Sequence, residues 1–208
     1  PSGEARARAL AASWVEVFGK WDAFAWRTSV TADRVINLLS AGPWLLGGLQ
    51  GAWREELLDS LSRQIRHLAA SGGDEPDPVS RFRIAVALCL AGAIFEDGQK
   101  HLEDGLAELE RECARQILAD GGHVGRSPES LANALVDIHV VEELLLRLGL
   151  PAPAFLTRLQ PRMAAMLRFF TLPDGRLLPS NGGGDGDGRL VRAALSAYEA
   201  GEARVAFA

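Results

Sequence analysis

The sequence predicts an all-α fold built from helical hairpins, and three observations carry that prediction. Apolar residues recur at steps of three and four over most of the chain, capping residues punctuate those runs, and strand-like alternation is nearly absent before the last residues. Earlier helices are expected at 4–17, 31–39, 54–70 and 79–95. The clearest run is 99–119, where Leu102, Leu106, Leu109, Cys113 and Ile117 fall on one face of a helix about 30 Å long at 1.5 Å per residue. Leu131, Leu135, Ile138, Leu145 and Leu148 form the next stripe, and Phe155, Leu159, Met163, Met166 and Phe170 the one after.

The punctuation agrees with these bounds. Asp120-Gly121-Gly122 is expected to end one helix with a glycine in the left-handed cap. Ser127-Pro128-Glu129 opens the next, with Ser as N-cap, Pro at the first helical position and an acid in the first turn. Gly149-Leu150-Pro151 reads as a short helix-to-helix turn. Real loops are expected only at 71–77 and 172–188, and no period typical of common helical repeats is visible. Short connections between helices suit bundles, solenoids and toroids. At the C-terminus, 203–208 alternates like a strand. Together with an opening at Pro1 that lacks Met or a signal-like segment, this predicts a piece of a longer protein. The expected division is a helical domain over 1–198 and the start of a β-rich domain over 199–208.

Composition bounds the function. The chain has 208 residues, enough for a self-standing core, and 22 basic against 27 acidic residues give a net charge of −5. No strongly positive global field is present to hold a nucleic acid, so none is expected as a partner, while a local basic groove stays open. The longest apolar run, 84–95, is broken by Gly92 and too short to span a bilayer, so no membrane partner is expected either. Cys89 and Cys113 both sit in apolar helical patterns, which argues against a disulfide.

Most catalytic signatures are missing: no phosphate-binding loop, no nucleophile elbow, no His-Glu-x-x-His and no Cys-x-x-Cys. His67, His101, His123 and His139 are too scattered for local metal ligation, and the Asp185–Gly188 run lacks the further ligands of a calcium loop. Neither a metal nor a cofactor is therefore expected. His139 and Glu143, one helical turn apart, are expected to pair. Arg63, Arg66, His67, Arg81 and Arg83 read either as a solvated helix face or as part of a basic groove. The five tryptophans (Trp14, Trp21, Trp26, Trp44, Trp53) read as helix-packing filler or as sugar-stacking faces.

The segment that stands out is 120–128. It gathers a carboxylate, an imidazole and a guanidinium in one inter-helix loop. Capping accounts for Asp120, Gly121, Gly122, Ser127 and Pro128 but asks for neither His123 nor Arg126. Such a pair at a loop mouth suits an acidic ligand, since guanidinium binds carboxylate or sulfate in a bidentate way.

This segment also carries a resemblance. Leu118-Ala119-Asp120-Gly121-Gly122-His123, then Arg126-Ser127-Pro128, resembles the D-G-G-H-x-x-R-S-P signature of bacterial heparinase II/III family proteins. Further elements follow in the family's order. They are Ala87 to Gly92 before the motif, then Arg162-Met163, Leu167 to Phe170, Asp174-Gly175 and Ser180-Asn181-Gly182 after it. The resemblance covers roughly 30–190. It implies an incomplete (α/α) toroid followed by a C-terminal β-sandwich domain, which would be this chain's own missing partner. It also implies β-elimination on an acidic, uronic-acid-containing polysaccharide. In that chemistry one group neutralises the uronate, one removes the C5 proton and one protonates O4. On this basis His123 and Arg126 are the candidate catalytic residues, and Asp120, Gly122, Ser127 and Asn181 the candidate substrate-binding residues. The chain departs from the pattern where the family places a Tyr-His pair, having Ser130 and Leu131 there. Val79 and Ser80 stand where the family has Asn-His, and Tyr198 is the sole tyrosine. Without that chemistry, the same fold would serve as an acidic-glycan-binding or helical interaction domain.

Overall fold

A computed structural model describes residues 3–47, 51–184 and 188–206. The described residues are almost entirely helical. They form α1 (Gly3–Phe18), α2 (Thr28–Ser40), α3 (Gly42–Gly47), α4 (Ala52–Ser71), α5 (Pro78–Ile94), α6 (Gln99–Gln116), α7 (Pro128–Arg147), α8 (Ala154–Phe169) and α9 (Gly188–Ala206). They fall into two compact units, Pro1–Leu106 and Ala107–Ala208. Among the described residues no helix is long and apolar enough to cross a membrane.

In the first unit α2 packs on α4 and α5, and α1 packs on α3 and α4. α5 is buried nearly all round, from Phe82 to Gly92, which explains a continuous apolar run in place of a stripe. Its start is fixed by Asp77, whose carboxylate accepts from the Ser80 N–H at 2.8 Å and its hydroxyl at 2.6 Å. Those bonds hold the Asp77 carboxyl below its ordinary value. Arg34 ties the layers together, donating to Gln64 at 2.7 Å and to the Ala25 carbonyl at 2.9 Å while lying 4.1 Å over the Trp14 ring. Burial pulls this guanidinium down to about 10. Most of the basic stretch is structural. Arg63 donates to the Gly19 carbonyl, Arg83 pairs with Asp33 at 2.7 Å, and a His67 ring nitrogen bonds the Trp26 carbonyl at 2.8 Å. Trp26 is buried and Trp14 half-buried, whereas Trp21, Trp44 and Trp53 are exposed.

In the second unit α7 packs on both α8 and α9. Leu131, Leu135 and Ile138 of α7 meet a core that also holds Leu109, Leu156, Met163, Leu167 and Leu177 without solvent exposure. Ser127 caps α7 as expected, its hydroxyl accepting from the Ser130 N–H at 3.3 Å. Ser127→Ala is expected to cost about 1 kcal/mol, read as a shift in urea midpoint. The C-terminus of α7 closes with Gly149 at φ 70°, Gly149 N–H bonded to Leu146 and Leu150 N–H to Leu145. These are the paired bonds of a Schellman turn.

Three expectations are corrected. α6 stops at Gln116, not at 119, and Gly121 is no helix cap. Instead, Ile117 and His123 form an antiparallel bridge closed by a tight turn, Leu118 N–H bonding Gly122 and Gly121 N–H bonding Leu118. His139 pairs with Glu142 at 3.4 Å, while Glu143 meets Arg147 at 3.2 Å; three- and four-residue spacings are both neighbours on a helix. The C-terminal alternation is helical as far as Ala206, because Ala, Glu and Arg are strong helix formers and so short an alternation does not specify a strand. Residues 207 and 208 of that stretch lie outside the described residues, as do 185–187 of the acidic glycine run.

The structure also reveals a repeat that the sequence conceals. Shifted by 54 positions, Thr171 and Leu177 form a second antiparallel bridge, with Leu172 N–H bonding Arg176 and Gly175 N–H bonding Leu172. Val124 N–H reaches back to Gln116, and its counterpart Leu178 reaches back to Phe170. In both turns the aspartate, Asp120 or Asp174, accepts from the N–H two residues on. A helix followed by an Asp-Gly turn closed by an antiparallel bridge thus occurs twice in this unit.

Candidate functional site

The first of these turns joins α6 to α7 and carries the motif. Gly121 adopts φ 86° and lies against the backbone of α8, where a side chain would collide with Arg162. That contact seats the turn, and Asp120 then bonds the Gly122 N–H at 2.9 Å and the Arg126 guanidinium at 2.7 Å. Arg126 and the Gly122 N–H hold the Asp120 carboxyl below the usual carboxylate range. Both partners of the ion pair are about half exposed.

Arg126 is held at its backbone as well. Its φ is 51°, an uncommon setting for a residue with a side chain. Its N–H bonds the His123 carbonyl at 2.8 Å, and its own carbonyl accepts from the Asn181 amide at 2.8 Å. Asn181, at φ 49°, begins the stretch that crosses the start of α7, where the Gly184 N–H donates to Glu129 at 2.9 Å. The structure therefore brings Asp120, Gly122, Arg126 and Asn181 into one hydrogen-bonded cluster, with Ser127 beside it capping α7.

His123 belongs to a different layer. It is buried, its Nδ1 accepting the Gly125 N–H at 3.1 Å and its Nε2 lying 3.3 Å from the Gln116 amide oxygen. An accepting Nδ1 puts the ring proton on Nε2, which donates to Gln116. The Gln116 amide nitrogen donates in turn to Glu112 at 2.6 Å, and Glu112, fully buried, takes Arg115 at 2.6 Å. Desolvation lowers the His123 pKa, so the imidazole is held neutral. The lone pair that would accept a substrate proton is already occupied by a backbone N–H.

This burial has a pH signature. An unfolded imidazole takes its proton near 6.5, whereas the folded one resists it. Stability is therefore expected to fall as the pH drops below 6.5 and to level off beneath the folded value. A melting series from neutral to mildly acidic pH should show this slope, and His123→Asn should flatten it.

Sequence reasoning missed Glu112 and Gln116, although their four-residue spacing on the helix entering the motif was visible. It also missed Glu129, which it took for a helix-dipole partner alone. Among the described residues no group of three or more His, Cys, Asp or Glu side chains gathers as metal ligands. Where the family pattern has Tyr-His, Ser130 gives its N–H to the Ser127 cap and Leu131 is buried core.

No protein-family model matches this sequence. FtsZ-localized protein C of Caulobacter vibrioides is 34% identical to it over 203 residues, covering 97% of this chain and 35% of that protein. The chain thus spans about a third of the length of this relative. Among solved structures, heparinase III superimposes with a TM-score of 0.69 at 18% identity, over 84% of this chain and 29% of that one. That likeness is one of fold: the chain shares the incomplete (α/α) toroid of heparinase III.

Proposed function

We propose that this chain is a lyase-fold interaction domain without elimination chemistry that works within a longer FtsZ-localized protein. The observation that carries the absence of that chemistry is His123, buried and neutral, with both ring nitrogens engaged. A proton-transfer residue must reach the proton that it moves, and here the basic nitrogen faces a backbone amide. The FtsZ context rests on the similarity, over nearly the whole chain, to a protein described as FtsZ-localized. The β domain implied by the family resemblance would be a further part of the same longer protein.

A second reading, an acidic-glycan binder or lyase acting on uronic-acid polymers, draws on the half-exposed Arg126. Its bond to Asp120 is a surface ion pair of low net worth, so a carboxylate or sulfate could capture the guanidinium at small cost. Two assays separate the readings. The purified chain is expected to pellet with FtsZ polymers and to produce no ultraviolet-absorbing unsaturated uronate from heparan, hyaluronan or alginate. An elimination product abolished in His123→Ala would overturn the proposal in favour of a lyase. Glycan binding without product, weakened by Arg126→Ala, would favour the binding module.

A further inference from the structure

A cavity of about 190 Å³ opens in the second unit between α6 and α8. Phe155, Leu159, Cys113 and Ala114 make its apolar wall, and Arg158, Arg162 and Glu110 its charged rim. Among the described residues Arg158 has no ion-pair or hydrogen-bond partner, and Arg162 gives one N–H to the Ala119 carbonyl at 3.3 Å. Two guanidiniums against one carboxylate make a locally basic rim on a chain whose net charge is −5.

Size narrows the occupant. Cofactor and drug-sized ligands fill pockets of roughly 300–1,000 Å³, so this one is too small for them and suits a single bulky side chain. Nor does its chemistry suit a covalent ligand. Burial and the neighbouring Glu110 and Glu112 push the Cys113 thiol up to about 12, so it stays protonated. An apolar socket for one side chain, rimmed by two guanidiniums and one carboxylate, is the geometry of an interface anchor.

We propose that this cavity docks one aromatic side chain of a partner protein, in a segment that carries carboxylates on both sides of that residue. The anchor fills the space over Phe155 and Ala114 while its acidic neighbours meet Arg158 and Arg162. Charge complementarity gives the segment its selectivity, and the apolar socket supplies the burial. This inference stands apart from the FtsZ reading, because its test involves no FtsZ.

The probe is a set of fluorescein-labelled decapeptides with a central Phe flanked by Glu, the same peptide with Lys for Glu, and the same with Ala for Phe. Anisotropy with the 208-residue chain is expected to show binding of the Glu-flanked Phe peptide, with both controls weaker by roughly tenfold or more. Ala114 is exposed on α6, so Ala114→Phe fills the cavity without touching the core and should weaken binding to a similar extent. Arg158→Glu, also at an exposed position, should shift preference toward the Lys-flanked peptide. Equal binding of the Phe and Ala peptides, no binding at millimolar peptide, or undiminished binding to Ala114→Phe would overturn the proposal. Tighter binding of free 3-phenylpropionate than of the peptide would overturn it in favour of a small-molecule site.

Discussion

Gly121→Ala is expected to destabilise the second unit by about 3 kcal/mol or more, lowering the melting temperature by about 10 °C. Two costs add. The residue sits at φ 86°, where a side chain is strained, and its Cβ would stand 2.3 Å from the Arg162 carbonyl oxygen and 2.4 Å from its carbon. Those are backbone atoms of α8, which cannot step aside as a side-chain tip can. The adjacent glycine gives the contrast. A Cβ on Gly122 would meet side chains alone, the ends of Asp120 and Arg126 at 3.1 and 3.2 Å and Met166 at an ordinary 3.8 Å, so Gly122→Ala should cost about 1 kcal/mol or less. Differential scanning calorimetry on both variants decides the point, and similar losses would show that α8 yields. On this account the first glycine of the motif is there for packing, and only the second borders the ion pair.

Gly92→Val is the second large effect, expected to leave the first unit unable to fold. α5 and α6 approach there to backbone contact. A Cβ on Gly92 would lie 2.1 Å from the Leu102 nitrogen, and one on Gly105 would lie 2.7 Å from the Cys89 nitrogen. Gly98 completes the approach, since its Cβ would fall 2.3 Å from the Gly92 carbonyl oxygen. No rotamer change relieves contacts of this kind, so the loss should exceed the ordinary cost of overpacking, about 1–3 kcal/mol. Far-UV circular dichroism with a urea titration would show it, and a native-like transition would mean that the two helices can part.

The helices were legible wherever an apolar stripe was long enough to be periodic. The bounds of α1, α2, α4, α5, α7 and α8 all lie within a few residues of those that spacing and caps predict. α3 was not legible, because Gly42-Pro43-Trp44 reads locally as a turn. α9 was hidden behind a glycine-rich loop and a short alternating tail. At the site, residue types singled out Asp120 and Arg126, since capping does not call for an arginine, but not that the two would pair with each other. They did not announce that His123 would turn inward, which depends on Gln116 and Glu112 one and two turns up the preceding helix. Nor did they give the reason for Gly121, whose partner lies on another helix. The internal repeat escaped because its two turns share only Leu, Asp and Gly in register: Leu118, Asp120 and Gly121 against Leu172, Asp174 and Gly175.

That repeat supplies the molecule with its own control experiment. Asp174 bonds the Arg176 N–H and its side chain much as Asp120 bonds Gly122 and Arg126, and Gly175 matches Gly121 in backbone setting but has open space around it. Whatever a substitution costs at 174 or 175 measures what an Asp-Gly turn needs as architecture. Any excess at 120 or 121 belongs to packing against α8 or to what the motif does. Paired substitutions across the two turns can therefore separate scaffold from function inside one polypeptide, without a second protein for comparison.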